Sequence, residues 1–173
     1  MKRTFPFLFI LIAATSYGQD EFAATAFYND FKQIYTDAQA GFIKYKGEKR
    51  QSEFEELNDE YRVKLLLPLA DSGKIVFPNT GNPYVVYYFE PNKNRLKVDQ
   101  RAVSLREAVL TAYNAPLYSR SETVMINERP LSNTWLFTTA GETKNSAAAF
   151  RISIYFADNR YYLSFEIRGK VNE

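Results

Sequence analysis

Strict alternation of apolar and polar residues near the C-terminal end is the clearest pattern in the chain. Phe150, Ile152, Ile154 and Phe156 alternate with Arg151, Ser153 and Tyr155. Beyond Asp158-Asn159, Tyr161, Leu163, Phe165 and Ile167 alternate with Tyr162, Ser164, Glu166 and Arg168. A period of two predicts two strands, each with one apolar face, and the Asp-Asn pair predicts the turn between them. A slip of one residue would turn every apolar side chain to water, so the pattern fixes the register. The other end of the chain has a different period. Phe27, Phe31, Ile34, Ala38 and Phe42 recur at steps of four, three, four and four. This predicts an amphipathic helix over 20–42, with Phe22 and Tyr35 widening its apolar face. Asp20 and Glu21 suit the positive end of its dipole.

Between these segments the signals are shorter. The stretch 44–60 is basic, then acidic, and reads as a solvated connection anchored by Tyr45 and Phe54. From Tyr61 onward, Val63, Leu65, Leu67 and Leu69 predict a strand that Pro68 ends or confines to an edge. Asp71-Ser72-Gly73 reads as a turn, 74–77 as a short strand, and Asn79-Thr80-Gly81-Asn82-Pro83 as a second turn. A strand rich in Tyr and Val follows over 84–89, then a polar loop over 90–100. Ser104 and Glu107 have the spacing of a capping box that opens a second helix. Leu105, Ala108, Val109 and Ala112 form its stripe, and Pro116 lies beyond its end. Val124 with Ile126, and the segment 135–139, give two further short strands, and 141–146 an exposed loop.

The sum is an α+β fold in the order α-β-β-β-α-β-β-β-β. It predicts an antiparallel sheet with a long N-terminal helix and a second, shorter helix packed on one face, a two-layer sandwich. No repeat is visible in the sequence.

The first residues change the picture of where this domain works. Lys2 and Arg3 precede an apolar run over 5–14, and Ser16 and Gly18 occupy the −3 and −1 positions of a cut before Gln19. Ten apolar residues make a helix of about 15 Å, half the thickness of a bilayer core, so the pattern predicts a cleaved signal peptide rather than an anchor. Residues 1–18 are then the signal and 19–173 a single α+β domain, periplasmic or secreted. There is no cysteine to carry a lipid or form a disulfide. No membrane anchor is expected after cleavage, and stability must come from the core.

Composition narrows the chemistry. With neither His nor Cys in the chain, an imidazole base, a thiolate nucleophile and a Cys/His zinc site are excluded. Loss of Lys2 and Arg3 would lower the 22 basic residues to match the 20 acidic ones, leaving no basic excess for nucleic acid. No catalytic residues, metal or cofactor are assigned.

Several phrases nevertheless resemble a class of small exported bacterial proteins: Phe42 with Lys46-Gly47, Leu67-Pro68-Leu69-Ala70, the strand Tyr84-Val85-Val86-Tyr87-Tyr88, and the closing hairpin. The resemblance implies export and this layout, and carries over no activity or functional residues. The element order is also similar to the type III secretion chaperone-like fold, which binds protein segments. This chain departs from that fold by ending in strands where the chaperone fold ends in a helix.

Three function classes follow. The first is a non-catalytic binding or interaction module for a protein segment or a glycan. The chain holds 13 Tyr, 14 Phe and 1 Trp, and alternation turns Tyr155 and Tyr162 outward on the closing hairpin, where a Tyr ring can pack while its hydroxyl stays wet. The second is a carboxylate-dependent hydrolase drawing on Asp30, Asp37, Glu53, Asp59 or Glu166. The third is an envelope-assembly subunit extended by a partner strand at an open sheet edge, with Pro68 and Pro130 protecting some edges. The signal pattern makes the most direct prediction. N-terminal mass spectrometry of the exported protein is expected to read Gln19 or its cyclised form, and an intact Met1 would remove the export reading.

Overall fold

The computed structural model describes Phe22 and residues 25–52, 56–126, 129–139 and 148–170. The proposed signal, Asp20, Glu21, Glu53, Phe54 and the loop 141–146 lie outside the described residues. A helix leads each of two runs of four strands. The first run is α1 (Thr25–Gln39), β1 (Lys46–Arg50), β2 (Asn58–Val63), β3 (Ala70–Pro78) and β4 (Tyr84–Asn92). The second is α2 (Arg95–Tyr113), β5 (Leu117–Ile126), β6 (Arg129–Thr139), β7 (Phe150–Ala157) and β8 (Arg160–Arg168). The eight strands form one sheet in the order β1-β2-β3-β4-β8-β7-β6-β5, every neighbour antiparallel. The α+β class with an antiparallel sheet therefore holds. Exchanging the two halves maps the strand order onto its own reverse. The chain thus carries a repeat in topology that its residues do not display.

The helix lengths differ from expectation. α1 has 15 residues and α2 has 19, so the second helix is the longer of the two as described. α1 stops at Gln39 rather than Phe42 because the backbone turns left-handed at Gly41 (φ 74°) and Phe42 (φ 59°). The Phe42 amide donates to the Asp37 carbonyl at 2.8 Å and the Gly41 amide to the Ala38 carbonyl at 3.1 Å, the paired bonds of a Schellman ending. Phe42 itself is fully buried. α2 begins nine residues before Ser104. Asn94 caps it, its side chain accepting from the Leu96 amide at 3.0 Å. Ser104 and Glu107 lie inside the helix, where the buried stripe of Val98, Ala102, Leu105, Ala108, Val109 and Ala112 runs through them. Asn114, left-handed at φ 51°, closes it before Pro116.

The strands differ too. Part of the charged stretch expected to be a loop is the edge strand β1, and β2 ends at Val63, before the leucine run. Leu67 is buried in the connection, whereas Leu66 and Leu69 are exposed, Leu69 with φ 67°. Asp71-Ser72-Gly73 is no turn but the bulged start of β3. Gly73 lies opposite Tyr87, and a Cβ there would sit 2.9 Å from the Tyr87 ring and 2.8 Å from Val63. The glycine makes room for that fully buried tyrosine, whose hydroxyl donates to the Leu65 carbonyl at 3.0 Å. β4, β5 and β6 all run longer than their sequence signals.

The closing hairpin matches its pattern. Phe150 pairs with Ile167, Ile152 with Phe165 and Ile154 with Leu163, and all six are buried. Asp158 and Asn159 make the turn, both at positive φ. Phe156 departs from the pattern, being exposed at the end of the ladder. Phe150 is the hub of the core. Its ring lies 5.5 Å from Phe31 and 5.4 Å from Tyr35 of α1, 5.2 Å from Tyr113 of α2, and 6.4 Å from Phe165. Tyr35 and Tyr113 also meet edge to face at 5.4 Å. Both helices therefore reach the same side of β7. Phe165→Ala is expected to cost about 3–5 kcal/mol, as for a buried Phe truncated to Ala, and Ser164→Ala on the other face less than about 0.5 kcal/mol. Urea midpoints that fall together would contradict this register.

Candidate functional site

The strand register sorts the side chains of the opposite, outer face into rows that cross the sheet. Tyr155 and Tyr162 are direct cross-strand partners. Their rings stack at 5.2 Å between centroids with planes 8° apart, and both residues are half-buried. The structure thus brings the two sequence-derived binding residues together. Ser132 of β6 continues their row and Val124 of β5 ends it.

The next row runs from Ser72 of β3 through Tyr88, Ser164, Ser153 and Thr134 on β4, β8, β7 and β6 to Glu122 of β5, each opposite the next. The Thr134 and Ser153 hydroxyls lie 3.1 Å apart. Beyond it runs a row of Val86, Glu166, Arg151 and Leu136. Rows on one face of a sheet are about 7 Å apart along the strands. The three small hydroxyl side chains therefore form a low lane. The tyrosine stack borders it on one side, the Arg151–Glu166 pair on the other, and Tyr88 stands at one end.

Electrostatics tie these groups into one patch. Arg151 approaches Glu166 at 3.6 Å, with the Glu166 side chain only 16% exposed. Burial raises the Glu166 carboxyl above the usual carboxylate range, and Arg151 and Arg168 offset part of that rise. Burial also raises the Tyr88 and Tyr155 phenols; nearby Glu60 and Glu166 add to the rise at Tyr88, and Tyr88 and Tyr162 to that at Tyr155. Tyr84, raised by burial and by Glu166, stands two residues from Val86 on the same face of β4. Lys74 donates to Glu60 at 2.6 Å further along the sheet. These phenols stay protonated at neutral pH and act as hydroxyl donors and ring surfaces.

The sequence groups Tyr84 and Tyr88 with the other strand tyrosines but assigns only Tyr155 and Tyr162 to the surface, and it gives Arg151 and Arg168 no role. Alternation in β4 could have turned Tyr84 and Tyr88 outward, but only the sheet order shows that β4 lies beside β8. The candidate carboxylates are dispersed. Asp37 is buried at the end of α1 and accepts from the Lys44 and Tyr45 amides at 2.7 and 2.8 Å, fixing the α1–β1 corner. Asp59 pairs with Lys49 at 2.6 Å, Asp30 lies on α1, and Glu166 is on β8. Glu60 and Glu166 share the outer face but sit three strands apart, about 14 Å along the sheet. Among the described residues no three Asp, Glu, His or Cys side chains are grouped to hold a metal ion. No described helix is long and apolar enough to cross a membrane. Comparison with protein-family models, with curated proteins and with solved structures finds no match.

Proposed function

We propose that this chain is an exported, non-catalytic binding module that takes a protein segment or a glycan on the outer face of its sheet. On this reading the two helices form a single layer over the inner face, completing a two-layer sandwich. The outer face is left to a ligand. The observation that carries the reading is the stacked, half-buried Tyr155–Tyr162 pair beside a lane of Ser164, Ser153 and Thr134. A ring pair offers flat apolar area at low entropic cost, and a row of hydroxyls offers donors and acceptors for an extended chain or a sugar. A sheet that needed only cross-strand support at these positions could use β-branched pairs.

The dispersal of the carboxylates favours binding over hydrolysis. Glycoside cleavage needs two carboxyl groups about 5–10 Å apart across the scissile bond. Glu60 and Glu166 are farther apart along the sheet and each has a basic partner, Lys74 and Arg151.

The double variant Tyr155→Ser/Tyr162→Ser tests the reading. Arrays of peptides and of envelope polysaccharides identify a ligand of the wild-type protein, and titration compares the variant with it. The expected outcome is at least a tenfold loss of affinity with the fold retained by circular dichroism. Unchanged affinity, with stability lowered by about 0.2–1 kcal/mol for the lost pair, would reduce the stack to a brace.

A further inference from the structure

The sheet has two edges, and they are unlike. β1 is short, carries Lys46, Lys49 and Arg50, and has a bulge between Lys46 and Lys49. Those are the devices by which natural edges resist pairing. β5 has ten residues, and positions 118–124 are all exposed. The segment 118–124 (YSRSETV) contains neither Pro nor Lys. The two expected edge guards lie elsewhere: Pro68 in the β2–β3 connection and Pro130 on β6, one strand in from the edge.

The sequence of that edge is complementary to itself. About Ser121 the residues run Tyr118, Ser119, Arg120 on one side and Glu122, Thr123, Val124 on the other. An antiparallel pairing with a second copy, its two-fold axis at Ser121, sets Arg120 opposite the partner's Glu122 and, by symmetry, Glu122 opposite the partner's Arg120. It sets Ser119 opposite the partner's Thr123, and Tyr118 opposite the partner's Val124. Opposite charges, a hydroxyl pair and an aromatic–β-branched pair are each favourable across strands. Shifting the axis by one residue on either side puts Arg120 or Glu122 opposite itself, a like-charge pair. Tyr118 and Val124 are 61% and 52% exposed, so the pairing would cover apolar surface now open to water. Arg120 and Glu122 already lie 3.2 Å apart along one face, in position to form an alternating quartet with their symmetry mates.

We propose that β5 is the pairing edge of a two-fold symmetric dimer of this chain, in antiparallel register about Ser121, which joins two eight-stranded sheets into one of sixteen. Isologous closure uses the open edge of both copies and leaves only the guarded β1 edges outside. Val124 shares the outer face and the row of Ser132 and Tyr155. The outer faces of both copies would then run on across the axis. The inference does not rest on the binding reading, and either can fail alone.

The absence of cysteine from the chain allows a direct test. Protein purified after expression of the full chain is expected to sediment as a dimer. The Ser121→Cys variant is expected to cross-link to itself on mild oxidation, because residue 121 faces its own copy within disulfide range. The Ser119→Cys variant is not, because those positions are about 13 Å apart along the paired strands. Arg120→Glu or Glu122→Arg alone turns two opposite-charge pairs into like-charge pairs and is expected to raise the dimer dissociation constant about tenfold or more. The double variant Arg120→Glu/Glu122→Arg is expected to restore it. A monomer up to millimolar concentration, equal cross-linking at both positions, or a double variant as weak as the singles would overturn the proposal. Should a charge variant fail to fold, the two cysteine variants decide alone.

Discussion

Everything in this fold depends on the ladder between β4 and β8. It is the single seam between two four-stranded halves, and it runs from Tyr84 opposite Arg168 to Asn92 opposite Tyr161. Its inner face carries Val85, Tyr87 and Phe89 against Leu163, Phe165 and Ile167, all buried. Neither half completes a core without it. Phe31 of α1 belongs to the first half, yet its ring meets Phe150 and Phe165 of the second. α2 belongs to the second half, yet it also contacts β4. A fully buried Phe contributes about 1.5–3 kcal/mol from area alone. A few such contacts across the seam are comparable to the whole stability of a domain.

The same seam assembles the outer face. Tyr88 comes from the first half, and Tyr155, Tyr162, Ser164 and Glu166 from the second. The apolar outer residues Val76, Val86 and Leu136 are nevertheless buried, in rows that also carry Glu60, Tyr84, Glu166 and Arg151. Burial of the Glu166 carboxyl between Val86 and Arg151 belongs to the same arrangement. The face is thus polar at its surface and ordered beneath, the combination a binding surface needs if it is to hold its geometry without a ligand.

Legibility in the sequence followed the range of the interaction. The closing hairpin was readable because its period, its turn and its pairing are all local. Its outward tyrosines, Tyr155 and Tyr162, were readable for the same reason. The second helix was placed late because Ser104 and Glu107 imitate a start, while the working cap, Asn94, follows a proline and two polar residues that read as loop. Gly73 read as a turn because its reason for being glycine is Tyr87 on the next strand. β1 read as a loop because a guarded edge strand and a solvated loop share the same charged composition. Tyr88 joined the site only through strand order, which no local pattern encodes.

Through β4 and β8 the two halves are expected to form one cooperative unit. Native-state hydrogen exchange in increasing urea tests it most directly. The amides of Val85–Phe89 and of Leu163–Ile167 that pair across the seam are expected to exchange only through global unfolding, merging at one free energy equal to that from equilibrium denaturation. Protection retained in β5–β8 while β1–β4 exchange freely, or the reverse, would contradict it.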